Sequence, residues 1–136
     1  MTKKNPPTAA ERARSLRRYV YLLTSNEKRF PKRYRGSMIE KIESLADSLI
    51  TEIRLADEIY PIPKQSFDLK ITHYREALAI ARTLDTHFCD IAEMPYFMVS
   101  DNQIKNISKD ICSITNMITS LIKTMKHKFP EYDDEA

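Results

Sequence analysis

Apolar residues recur along this chain at intervals of three and four, the spacing of one face of an α-helix. Leu16, Tyr19, Val20 and Leu23 form a first stripe. Met38, Ile42, Leu45, Leu49, Ile53 and Ala56 form a second, and Phe67, Ile71, Tyr74, Leu78, Ala81, Phe88 and Ile91 a third. The fourth stripe, Ile104, Ile107, Ile111, Ile114, Ile118, Leu121 and Met125, alternates its steps without interruption, a heptad seam widened by Met117 and Ile122.

Proline divides the stripes. Pro6, Pro7, Pro31, Pro61, Pro63, Pro95 and Pro130 leave four long segments free of it, and proline is excluded from helix interiors because it lacks the N–H and clashes with the preceding turn. Start signals agree. "TAAE" from Thr8 and "SDNQ" from Ser100 read as capping boxes. The second helix has two candidate starts, Pro31 as a first helical residue and Ser37 as the cap of "SMIE". The third starts near Ser66. The pattern predicts an all-α protein, an antiparallel up-down-up-down four-helix bundle over residues 8–128. A disordered basic tail precedes it at 1–7, and an acidic tail expected to fray follows at 129–136.

Composition narrows this further. A single glycine in 136 residues argues against a β-rich fold, which needs glycine in its turns. A chain of this length fits one domain with a substantial core. No apolar run approaches the ~18 residues of a membrane span, and no apolar segment follows the charged N-terminus as in a secretory signal. Cys89 and Cys112 are too few for a disulfide framework and are expected as buried or semi-buried free thiols in a cytoplasmic protein.

Catalytic and metal chemistry find little footing. No Glu-x-x-His pair is present, as a di-iron bundle requires, and His73, His87 and His127 stand apart without zinc spacing. Asp85, His87 and Asp90 point to different faces of a helix. Cys89 and His87 diverge likewise, so they make no nucleophile–base pair. Glu40 and Glu43 share a face, where solvation is the simpler role than a carboxylate dyad. No glycine-rich loop exists to cradle a phosphate. A non-enzymatic protein without metal or cofactor is expected.

Charge points elsewhere. The formal net charge is +3, but residues 1–35 carry eleven Lys/Arg and two acids, a balance of +9, against −6 for the remainder. Such polarity steers encounters with charged partners. In the first helix Arg14, Arg17, Arg18 and Tyr21 fall at i, i+3, i+4 and i+7, opposite the apolar stripe. Arginine pairs bidentately with phosphate and stacks on bases, and tyrosine stacks too. Only Glu11 is spaced to neutralise this row within the helix. Lys28, Arg29, Lys32, Arg33 and Arg35 follow in "KRFPKRYRG". If the second helix begins at Pro31, three of these cations sit in its first turns, where the macrodipole favours acids and a phosphate would complete the helix end.

The stretch "RFPKRYRGSMIEKIESLADSLITEIRLADEIY" resembles the signature region of small bacterial four-helix-bundle proteins. These include the family named after reading frames within 23S rRNA intervening sequences and the related accessory variability determinant (Avd) proteins of diversity-generating retroelements. The "FPK" followed by a long amphipathic helix carries the resemblance. The fourth helix reads "SLIKTMKHK" where such families often have a Gly-Trp pair. The resemblance implies a homopentameric barrel with a basic surface and, for Avd proteins, binding to a reverse transcriptase and to nucleic acid. Isoleucine at both heptad positions of the fourth helix also favours higher-order packing. Ile50, Leu55, Ile80 and Ile122 lie off the main stripes, and "MPYFMV" (Met94 to Val99) is an unusually apolar connection; each fits either an interface or a capped bundle end.

The expected function is therefore nucleic-acid binding, RNA or DNA through the backbone, by a homo-oligomer that does not enter membranes. The competing expectation is an adaptor that docks a reverse transcriptase or another mobile-element enzyme without touching nucleic acid.

Overall fold

The computed structural model describes residues 5–134; residues 1–4 of the expected basic tail and residues 135–136 of the acidic one lie outside them. Four long helices, α1 (Ala9–Thr24), α2 (Glu40–Glu58), α3 (Lys64–Glu93) and α4 (Asp101–Lys128), make an all-α bundle, with no strand among the described residues. α2 packs against α1 and α3, and α4 against α3 and α1. No helix among the described residues is long and apolar enough to cross a membrane.

The local signals act largely as the chain chemistry dictates. Thr8 Oγ1 accepts the Glu11 N–H at 3.2 Å. Ser100 and Gln103 form both halves of a capping box at the head of α4, with Lys126, His127 and Lys128 in its last turn favourably placed against the dipole. Every residue of the third stripe is buried, although α3 begins at Lys64, two residues before the expected Ser66.

The second helix departs from expectation. Pro31 precedes a single 3₁₀ turn, Lys32–Tyr34, and a wide π turn follows over Arg35–Ile39, closed by the Glu40 N–H donating to the Arg35 carbonyl. Ser37 is not a cap: its hydroxyl donates to the Tyr34 carbonyl at 3.3 Å. The wide turn takes one more residue than an α-turn, so Met38 packs against the core only partly buried and Ile39 fills the fully buried position. A narrow turn followed by a wide one also leaves no straight stack of peptide dipoles running back from Lys32.

In α4 the buried set is Ile107, Ile111, Ile114, Ile118, Ile122 and Met125. Leu121, assigned to the seam, is 38% exposed, and Ile122 replaces it. A straight helix of 3.6 residues per turn drifts about 20° per heptad from a 3.5-residue repeat, enough along the length of α4 to hand the core from one position to the next. Ile50 and Ile122 are thus core residues rather than surplus surface, while Leu55 remains exposed.

The acidic end does not fray over its described length. A short 3₁₀ turn, Pro130–Tyr132, folds back on the bundle. Tyr132 stacks on Phe129 at 5.8 Å and meets Phe67 at 5.6 Å. Lys64 Nζ, 3.0 Å from Asp68 and 2.8 Å from Asp134, ties the segment to the start of α3.

Candidate nucleic-acid interface

The nine residues singled out for phosphate or base contact all lie on α1 or on the connection leading to α2. Arg14, Arg17, Arg18 and Tyr21 line one groove of about 630 Å³ together with Leu22, Ser25 and Asp47. The helical spacing therefore gathers the four residues as expected. The acid comes from α2, thirty residues away in sequence from Arg17.

That acid changes the electrostatics. Asp47 Oδ1 lies 3.4 Å from the Arg17 guanidinium, and Asp47 Oδ2 accepts the Tyr21 O–H at 2.9 Å. The hydrogen bond to Asp47, aided by desolvation and by the Asp47 and Glu43 charges, pushes the Tyr21 phenol above its ordinary value. One turn earlier on α2, Glu43 accepts the Thr24 hydroxyl at 2.8 Å and faces Arg35 at 3.4 Å. Within the basic row Asp47 therefore pairs Arg17 and Tyr21 and leaves Arg14 and Arg18 without a carboxylate, while Glu43, four residues earlier, ties Thr24 and Arg35 to α2. Arg29 is also engaged, its guanidinium donating to Gln103 Oε1 at 2.6 Å and its carbonyl accepting the Met98 N–H at 3.0 Å. Arg29 thus joins the α1–α2 connection to the head of α4.

Arg33 lies over the Tyr34 ring with Cζ 4.8 Å from the centroid. For Arg14, Arg18, Lys28 and Lys32, no carboxylate among the described residues comes within ion-pair reach, and all four are exposed. With Arg33, which is exposed and among the described residues meets only the Tyr34 ring, these are the cations of the nine available to an external anion.

Four aromatic or apolar residues at this end, Tyr34, Tyr96, Phe97 and Met98, carry no individual signal in the sequence. Tyr34 packs against Tyr96 at 5.1 Å and Phe97 at 5.3 Å, and Tyr96 and Met98 are 50% and 67% exposed. The apolar "MPYFMV" is the nearest thing to one, but nothing local places it beside "RFPKRYRG".

The remaining chemistry is dispersed. No group of three or more His, Cys, Asp or Glu among the described residues could hold a metal ion. Asp85 accepts the Ser108 hydroxyl at 2.7 Å, and His73 Nδ1 meets Glu52 at 2.6 Å. Cys89 and Cys112 are free but exposed, not buried. Desolvation, with the Asp85, Asp90 and Glu93 charges, pushes the Cys89 thiol up and away from the nucleophilic thiolate.

Comparison of the chain with known protein families, with curated proteins and with solved structures returns no match.

Proposed function

We propose that this is a non-enzymatic, cytoplasmic nucleic-acid-binding protein of the kind its sequence resembles, acting as a homo-oligomer on the phosphate backbone of RNA or DNA. The observation that carries the proposal is the α1 groove, where Arg14 and Arg18 stand without a carboxylate partner beside Arg17 and Tyr21. Lys28 and Lys32 extend the same charge toward the bundle end. The two exposed free thiols accord with a reducing compartment. In an oligomer the groove repeats, so individually weak phosphate contacts act together.

The scaffold in this reading is an antiparallel up-down-up-down bundle. Cross-helix pairs support alternating directions: Tyr21 meets Asp47 while Thr24 meets Glu43, and Phe67 at the start of α3 meets Phe129 just past the end of α4. A pentamer is the number the resemblance implies.

Binding measured over a salt series tests the function. Affinity falls steeply with salt, the slope set by the number of phosphates neutralised. Replacing Arg14, Arg18, Lys28 and Lys32 by Ala weakens binding and reduces the slope by about one for each phosphate no longer neutralised. No binding at low salt, or an unchanged slope, refutes the proposal.

The exposed Leu22 within the groove favours a second reading, a docking face for a protein such as a reverse transcriptase. A pull-down repeated after nuclease separates the two: an adaptor keeps its partner.

A further inference from the structure

Four rings lead out of the core at the basic end of the bundle. Phe30 and Phe97 are buried and lie 5.2 Å apart, Phe97 meets Tyr34 at 5.3 Å, and Tyr34 meets Tyr96 at 5.1 Å. Phe30 and Tyr34 come from the α1–α2 connection, whereas Tyr96 and Phe97 come from the connection between α3 and α4. The two are joined by the Met98 N–H donating to the Arg29 carbonyl at 3.0 Å. Closing the core needs only the inner part of this series. Tyr96 is half exposed, Met98 more so, and Lys32 and Arg33 stand on the same connection as the Tyr34 against which Tyr96 packs.

We infer that Tyr96 is a stacking platform for an unpaired base, and that the protein therefore takes single-stranded nucleic acid at this end, with the Lys32 and Arg33 side chains on the adjoining phosphates. This rests on the nucleic-acid reading and specifies its substrate. A positively charged surface alone accepts any polyphosphate, because its contacts are electrostatic. Exposed aromatic surface among the cations changes that, since a base in a duplex is covered by its stacked neighbours and an unpaired base is not. Stacking of this kind tolerates any base, because every base has a π-face. Tyr34, backed by Phe97 on one side and the Arg33 guanidinium on another, holds Tyr96 in place.

The test is fluorescence anisotropy at low salt with three labelled probes: an oligothymidylate, a strand of equal length whose residues are abasic, and a blunt duplex. The native chain binds the oligothymidylate about tenfold more tightly than the abasic strand. Tyr96→Ala removes that difference and weakens duplex binding by less than about twofold, whereas Tyr96→Phe retains the difference because it keeps the ring. Lys32→Ala weakens all three probes together. Circular dichroism checks that each variant is folded. Equal affinity for the intact and abasic strands, or an equal loss on all probes with Tyr96→Ala, overturns the inference. If the Lys32→Ala loss persists in that case, the nucleic-acid reading stands without it. If no probe binds, both fall.

Discussion

The Tyr21 hydroxyl donates to Asp47 Oδ2 at 2.9 Å while the other oxygen of the same carboxylate faces Arg17 at 3.4 Å. One acid from α2 thereby holds two residues of the α1 groove and cancels part of its charge. It positions the groove and competes with any anion that enters it.

Replacing that acid separates the two effects. Asp47→Asn keeps a side-chain oxygen for the Tyr21 hydroxyl and removes the charge. Binding of a short RNA or DNA strand is expected to tighten by about two- to fivefold at low salt, as for loss of one exposed ion-pair charge, and the gain fades as salt screens it. The Tyr21 phenol moves down toward its ordinary value, because the acceptor and neighbouring charge that raise it are weakened. Titration followed by tyrosine NMR reads the shift, and an unmoved Tyr21 contradicts this account.

Alkaline stability reports on a second tyrosine. Tyr74 is buried and donates to Asp57 at 2.6 Å, and burial first, then this bond, pushes its phenol far above the usual range. The folded state holds the proton more tightly than the unfolded chain does. The associated stability is complete below the ordinary pKa of 10.0 and is lost as pH rises from there through the folded value. Lys64, raised by Asp134 and Asp68, acts in the same direction, whereas Lys70, lowered by burial, opposes it. Urea unfolding across this range should show stability falling with pH. Tyr74→Phe should cost about 1 kcal/mol at neutral pH and flatten the alkaline decline.

The register of α4 is testable by a pair of truncations. Ile122→Ala empties a buried site and should cost about 2–4 kcal/mol, while Leu121→Ala should cost under about 1 kcal/mol. The heptad seam read from sequence alone predicts the opposite order, so denaturation of the two variants decides between them.

Gly36 offers a gain. Its φ is not positive, and a Cβ built on it meets nothing within 4 Å. Gly36→Ala should therefore stabilise the protein by about 0.4–1 kcal/mol, through the reduced freedom of the unfolded chain. A loss of stability would show that the wide turn over Arg35–Ile39 needs the glycine.

What the sequence alone determined is the set of helices and most of their buried faces. Periodicity, proline and caps act within a few residues, so the third stripe and the Ser100–Gln103 box could be read directly. It also placed Arg14, Arg17, Arg18 and Tyr21 on one surface, because helical geometry alone brings them together. Tertiary structure decided the rest. The partners of Arg17 and Arg29 lie 30 and 74 residues away, and no local rule gives which acid or amide will face a guanidinium across a helix interface. The ring series from Phe30 to Tyr96 joins two connections that are distant in sequence and adjacent only after the helices pack. The handover from Leu121 to Ile122 has the same origin. A repeat read as 3.5 is spent on a helix of 3.6, and the core decides where the accumulated drift is absorbed.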